Sequence, residues 1–382
     1  MYNNESATVQ LNWILNRIGF RLEITETQRK LAEERYNAVG KWLAAEGSSL
    51  AKFKSVIYPQ GSLRIGTTTK PIKHEEYDLD LVCELQIDWN NIHPLNLLKM
   101  VFERIRSNKL YESIVELKKR CVRLNYANDF HLDILPACLD LKTCGTCVKV
   151  PDRKMNGGNG GWSASNPKGY ANWFEKIAEQ YEKLLLEKRI EPLPEPEPSD
   201  QKPPLKRAVQ LLKRWRDIEF QNLDELAPVS IVLTTLAGHL YHNDSSLLDT
   251  FTNIVDEIVE LIERTEGPII VYNPTNAKEI LSEKWHEKPE AYNLFKQKIT
   301  ALKVNWHDII SNKTGLGAIS QALKNLFGET VVDQAMRDFN DQAIAAKRNA
   351  GQLGINAATG SLSSLSSSTI LIPKNTFHGN AF

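Results

Sequence analysis

Apolar positions along this chain change their period twice, and the changes divide it into three stretches. Between residues 25 and 46, Leu31, Val39, Trp42 and Leu43 recur near helical spacing, behind a Thr25/Gln28 capping box and ahead of Gly47. That predicts a long helix which glycine then stops. From Val56 to Asp140 the pattern shortens to β-rich runs, DLDLVCEL, VELKKRCVRLNY and FHLDILPACL, broken by a helical stretch near 94–106. A mixed α/β lobe is expected there, followed by a helix around Tyr170–Arg189. The string EPLPEPEPSDQKPP places prolines at 192, 194, 196, 198, 203 and 204, too dense for helix or sheet, and predicts an extended, exposed connector. Residues 205–347 then read as almost wholly helical, with apolar stripes in LKRAVQLLKRWRDI, VSIVLTTLAGHLY and FTNIVDEIVELIERT. From Asn349, GQLGINAATGSLSSLSSS buries too little apolar surface to offset its chain entropy and predicts a mobile tail. The expected organisation is a lobe at 1–190 braced by the long N-terminal helix, a linker at 191–204, a helical lobe at 205–347 and a tail at 348–382.

Composition narrows the function. The 382 residues carry 47 basic and 47 acidic side chains, and this balance argues against a surface that grips a nucleic-acid polymer. No basic segment followed by an apolar stretch opens the chain, and no run approaches the ~18 apolar residues of a membrane span, which predicts a cytoplasmic protein. Five cysteines, an odd number in a long chain, predict no disulfide framework. Cys144 and Cys147 have a spacing that zinc can use, but a closed site needs four ligands, and recruiting Cys138 and His131 has no second cluster behind it. Free cysteines in a tight turn are expected.

The candidate chemistry is concentrated in YPQGSLRIGTTTKPIKHEEYDLDLVCEL. On a strand Asp78 and Asp80 point the same way, about 7 Å apart along the backbone, while Leu79 and Leu81 face a core. Two like charges at ~4 Å and an effective dielectric near 20 repel by roughly 4 kcal/mol, so such a pair persists where protons or cations neutralise it. A third acid, Asp133, sits in the apolar run FHLDILPA. Three carboxylates can hold two hard divalent ions, Mg2+ or in its place Mn2+, which makes these residues candidate catalytic and metal-binding groups with Asp133 as general base. Gly61 and Ser62 form a turn whose backbone and hydroxyl can approach a triphosphate.

Gly-Ser, then Asp-hydrophobic-Asp-hydrophobic, then a third strand Asp resembles the polymerase β nucleotidyltransferase superfamily. The strings QGSLRIGTTTKP, EYDLDLV, HLDILPA, SNPKGYANWF and LKRAVQLLKRWRD are similar, more narrowly, to the CD-NTases (cGAS/DncV-like nucleotidyltransferases) with a SMODS-type domain, the synthases of bacterial CBASS anti-phage systems. The resemblance covers roughly residues 20–330, and the 15 residues between Ser62 and Asp78 are a slightly long interval for the superfamily. It implies a bilobed α+β fold, with a mixed-sheet catalytic lobe against a helical C-terminal lobe. It also implies synthesis of a cyclic di- or trinucleotide second messenger from nucleoside triphosphates with release of pyrophosphate, and a downstream effector that responds to the product. By the same resemblance Lys213 reaches the triphosphate, Ser230 touches donor phosphates, Arg123 contacts nucleotide, and Gln60 and Arg64, which flank the turn, touch nucleotide too, although Arg64 can equally pair with Glu75 or Glu76. The aromatics of SNPKGYANWF suit helix packing better than base stacking. The tail resembles a C-terminus that a ubiquitin-ligase-like partner conjugates to target molecules.

Two other readings compete. A linear transferase acting on RNA or protein needs an acceptor track with a basic surface, which the neutral charge disfavours. A non-catalytic nucleotide- or partner-binding module has no need to tolerate the repulsion of a complete acidic triad.

Overall fold

The computed structural model describes residues 2–72, 77–126, 130–179, 191, 193, 202–312, 315–350, 352–356, 362–364 and 369–371. The chain divides into two units, one of residues 22–313 and one that joins residues 1–21 to 314–382. The smaller unit opens with helix α1 (Tyr2–Arg21), whose Leu11, Ile14, Leu15 and Ile18 repeat at helical spacing and are all buried.

In the larger unit the capping box forms as the sequence predicts. The Thr25 hydroxyl accepts from the Gln28 amide and the Gln28 side chain accepts from the Thr25 amide, which starts α2 (Glu26–Ala44). There follow β1 (Val56–Gln60), α3 (Gly61–Arg64), β2 (Tyr77–Asp88), α4 (Pro94–Arg106), β3 (Val115–Leu117), β4 (Val122–Tyr126), β5 (Phe130–Leu139), β6 (Val148–Asp152) and β7 (Gly161–Ser165). The sheet runs β1-β2-β5-β4-β3, with β6 pairing the end of β5 and carrying β7. Among the described residues of this sheet, β2 and β5 pair in parallel and the other neighbours antiparallel. Strict alternation on these two strands decides the faces: Leu79, Leu81, Cys83 and Leu85 join Leu132 and Ile134 in a core with Tyr36, Val39, Leu43, Leu97 and Val101 of α2 and α4. Each fully buried aliphatic side chain there contributes about 1.5–3 kcal/mol, so the register is fixed and the acids are forced onto the opposite face.

Helices α5 (Pro167–Glu179), α6 (Pro204–Glu219), α7 (Ser230–His239) and α8 (Leu247–Arg264) come next. Every residue of α6 from Leu205 to Trp215 is buried, its charged ones included. Burial of these charges is tolerable because each has a partner: Lys206 with Glu179, Arg207 with Glu23, and Gln210, Lys213 and Arg214 with the carbonyls of Thr68, Thr67 and Lys70. Helix α6 thereby pins the TTTK segment that follows the Gly-Ser turn. A two-stranded hairpin, β8 (Tyr272–Asn273) and β9 (Asn276–Ile280), precedes α9 (Glu283–Glu287) and α10 (Pro289–Ser311). This hairpin corrects the almost wholly helical reading of 205–347; the Asn-Pro-Thr-Asn turn at 273–276 interrupts the helical period.

The proline-rich connector is also less exposed than expected where it is described. Leu193 is buried in the sheet's core, the Glu191 carbonyl accepts from the Tyr36 hydroxyl at 2.6 Å, and Lys202 pairs with Glu23 at 2.5 Å. In the smaller unit α11 (Leu316–Phe327) and α12 (Glu329–Asn349) lead into β10 (Leu353–Asn356), β11 (Leu362–Ser364) and β12 (Thr369–Leu371), ordered β11-β10-β12. The expectation of a mobile tail from Asn349 is thus corrected over 353–356, 362–364 and 369–371, where antiparallel pairing satisfies the backbone. The terminal TFHGNAF lies outside the described residues. Among the described residues no helix is long and apolar enough to cross a membrane.

Candidate active site

Register across the sheet assembles the acids. Gln60 of β1 is paired with Asp80 of β2, Asp80 with Asp133 of β5, and Asp133 with Arg123 of β4, so four polar side chains form one row across four strands. Neighbouring strands lie about 4.8 Å apart, which brings Asp80 and Asp133 within strong repulsion of each other. Burial first, then Asp78 and Asp133, push the Asp80 carboxyl up to about 7. Asp78 stands at the mouth, 59% exposed, with the Arg123 guanidinium 3.5 Å away.

Gly61 has φ +68°, and a Cβ built on it would collide with Asp80 Oδ2. Both the turn and the close approach of backbone to carboxylate therefore require glycine. Ser62 Oγ is 3.2 Å from Thr68 Oγ1, and its carbonyl accepts from the Thr67 amide at 2.9 Å, which folds the turn back over the site. Gln60, Gly61, Ser62, Asp78, Asp80, Lys213 and Ser230 all line one cavity of ≈ 740 Å³. Lys213 donates to the Thr67 carbonyl at 3.0 Å, and burial lowers its ammonium to about 8. Ser230 is the first residue of α7, one past the N-cap Val229, and its hydroxyl accepts from Arg216.

Asp133 and Arg123 are not in the cavity lining. Arg123 donates to both Asp133 oxygens at 2.7 Å and reaches Asp78 at 3.5 Å, so its guanidinium neutralises the acids from the far side of the row. With Arg123 placed there, no group of three or more His, Cys, Asp or Glu side chains among the described residues converges on one point. The donor set nonetheless fits a hard cation in kind: three carboxylates on two adjacent strands, one held protonated near neutral pH by the others, with an organic cation already drawn among them. Arg64 pairs with buried Glu175 of α5, and Glu75 and Glu76 lie outside the described residues. Tyr170 of SNPKGYANWF joins the cavity wall, its hydroxyl against Thr235, whereas Phe174 is wholly buried.

Several cavity residues escaped the sequence reading. Arg216 and Asp217 follow Lys213 by three and four positions and share its helix face, a spacing that could have revealed them. Arg120, Asn273 and Glu279 come from a strand turn and the unrecognised hairpin. Cys144 and Cys147 are not free but joined in a disulfide. The turn between β5 and β6, closed by Cys147 N–H to Cys144 carbonyl, holds their Cα atoms 5.1 Å apart, within bridging range. Cys83, Cys121 and Cys138 are free thiols.

A profile of the Second Messenger Oligonucleotide or Dinucleotide Synthetase domain matches residues 12–177. The chain is 35% identical over 383 residues to a c-di-GMP synthase of Roseivirga ehrenbergii, covering 100% of both. It superposes with TM-score 0.69 on the CD-NTase CdnG of Bradyrhizobium diazoefficiens in complex with GTP, at 23% identity, covering 86% of this chain and 98% of that one. A cyclic AMP-GMP synthase of Vibrio cholerae, DncV, bound to nonhydrolyzable GTP, superposes with TM-score 0.54 at 17% identity, covering 86% and 90%. The mixed sheet with a helical C-terminal part is the polymerase β-like fold of these enzymes.

Proposed function

The chain belongs to the Second Messenger Oligonucleotide or Dinucleotide Synthetase family and is a nucleotidyltransferase that makes a cyclic dinucleotide, and from that premise we propose that it joins two molecules of GTP into cyclic di-GMP. The relative named c-di-GMP synthase and the CdnG complex with GTP support guanosine as the base. The observation that carries the proposal is the Gln60–Asp80–Asp133–Arg123 row beside the Gly61–Ser62 turn, with Lys213 in the wall of the same cavity.

In this reading the turn and Lys213 hold the donor triphosphate, and Ser230 with Arg216 adds two more donors at the start of α7. Asp78, Asp80 and Asp133 would hold magnesium, or manganese in its place, which supplies charge neutralisation and a more acidic attacking hydroxyl when bound. Arg123, which holds Asp133 and lies near Asp78, would be free to contact nucleotide were a cation to take over the neutralisation of these acids. The acceptor hydroxyl gives its proton to Asp133 as its oxygen bonds to the α-phosphorus of the donor, and the bond to pyrophosphate breaks. A second, equivalent attack closes the ring after the linear product is turned in the cleft. Most of the acceleration is positioning and electrostatics, since the protein forms no bond to substrate.

The product would serve as a second messenger to an effector in anti-phage defence, and the end of the chain would be the handle for a ubiquitin-ligase-like partner. The decisive experiment incubates purified protein with each labelled triphosphate and magnesium, removes unreacted phosphate ends with phosphatase, and weighs what survives. Cyclic di-GMP from GTP alone is the expected product; a linear oligonucleotide, or product only from another base, would refute the reading.

A further inference from the structure

The cavity has a second polar wall that nucleotidyl transfer leaves without a task. Glu279 of β9 lines it, mostly buried, its Oε1 accepting from Ser165 Oγ at 3.0 Å and its Oε2 from Asn273 Nδ2 at 2.7 Å. The Asn166 amide is a third donor to this carboxylate, which still lines the cavity where a ligand can reach it. Arg120, from the turn between β3 and β4, lines the same cavity. Its Nε is fixed by Asp152 Oδ2 at 2.7 Å and its Nη2 lies 3.5 Å from Glu283, while Nη1 makes no hydrogen bond among the described residues. Arg120 and Glu279 feel each other's charge without touching. Two opposite charges on separate anchors thus line one cavity, one an acceptor and the other a donor. Two buried anchors for two side chains that never pair would cost stability with no return in an empty wall.

We infer that Glu279 and Arg120 read the base, with the Glu279 carboxylate accepting from N1–H and the N2 amino group of guanine while Arg120 donates to O6 and N7. The assignment rests on the GTP reading above and names the residues that would enforce it. Guanine is the base whose edge sets two donors beside two acceptors in this order. Adenine would turn the N1 lone pair toward Glu279 and the N6 amino group toward Arg120, two mismatches at once.

The test measures binding of GTP, ITP and ATP to the full chain by displacement of a fluorescent GTP analogue, separately from synthesis. ITP keeps N1–H, O6 and N7 but lacks the N2 amino group. The wild-type protein should bind ITP about 10-fold more weakly than GTP and ATP about 100-fold more weakly. Glu279→Gln should bring ITP to within about 3-fold of GTP, and Arg120→Met should erode the preference over ATP while leaving the GTP-to-ITP ratio in place. Equal binding of GTP and ITP by the wild type overturns the assignment without any substitution that could disturb folding. An equal loss for all three nucleotides in Glu279→Gln overturns it too, because a wall residue or a ribose contact would act that way. Should the wild type make cyclic di-GMP while binding ITP as well as GTP, only this assignment fails; should it make nothing from GTP, the product reading fails on its own.

Discussion

At the residue scale the site is built on repulsion. Unfolded, Asp80 releases its proton near 3.8, whereas in the fold it keeps it to about 7. The ion-free protein therefore loses stability as pH rises between those values, by up to about 4 kcal/mol from this group. Asp80→Asn removes both the charge and the loss. Its melting temperature should exceed the wild type's at pH 8 and match it more closely at pH 5, while synthesis falls by about 100-fold or more. A variant that melts lower at pH 8 would contradict the electrostatic account. Lys213 runs the other way: burial lowers its ammonium to about 8, so it loses its charge as pH climbs past that value. Lys213→Ala should raise the Michaelis constant for triphosphate by about 10-fold, the worth of a charge-assisted contact, and should flatten the fall of kcat/KM above pH 8. The three acids and the Gly-Ser turn were legible because alternation and one-sided apolar neighbours leave a charged residue no other face. Arg120 and Glu279 were not: each sits in a short, polar element whose partners are distant in sequence, and no period announces a side chain whose role depends on tertiary neighbours.

At the element scale, the turn from β1 into α3 governs the geometry. Gly61 combines φ +68° with a backbone pressed against Asp80, so Gly61→Ala is penalised twice, by the left-handed torsion and by displacement of a carboxylate. A loss of about 1–3 kcal/mol in denaturant unfolding is expected, with synthesis reduced far more than the stability change alone explains. Wild-type activity in that variant would mean that the turn is not the triphosphate cradle. The strands β2 and β5 and helices α2, α4 and α6 follow from apolar period. The hairpin β8–β9 and the small sheet β10–β12 do not, because strands two to five residues long are too short for a sequence period to declare itself. Their turn residues, Asn-Pro-Thr-Asn in one and Gly-Ser-rich segments in the other, were the available signal.

At the scale of the whole molecule, the two chain ends share a unit, and one carboxylate ties them. Asp338 of α12 accepts from Arg17 at 2.7 Å and from Arg21 at 2.5 Å, while Trp13 packs edge-on to Phe339 with ring centroids 5.4 Å apart. Sequence gave no hint of this, since 317 and 321 positions separate the partners. Asp338→Ala should cost about 1–3 kcal/mol through two lost charge-assisted contacts, read as an earlier melting step. Residues 372–382 lie outside the described residues. Their removal from the full chain should leave the melting temperature nearly unchanged and cyclic dinucleotide synthesis by the purified protein within about 2-fold of wild type, as expected of a segment that serves a partner and not the chemistry. The same deletion should abolish attachment of the protein to other molecules in cells that carry a ligase-like partner. The two measurements separate a handle from a structural part, because a segment that folds back onto the enzyme would lower melting and synthesis together in the purified truncation, and the conjugation role would then have to be given up.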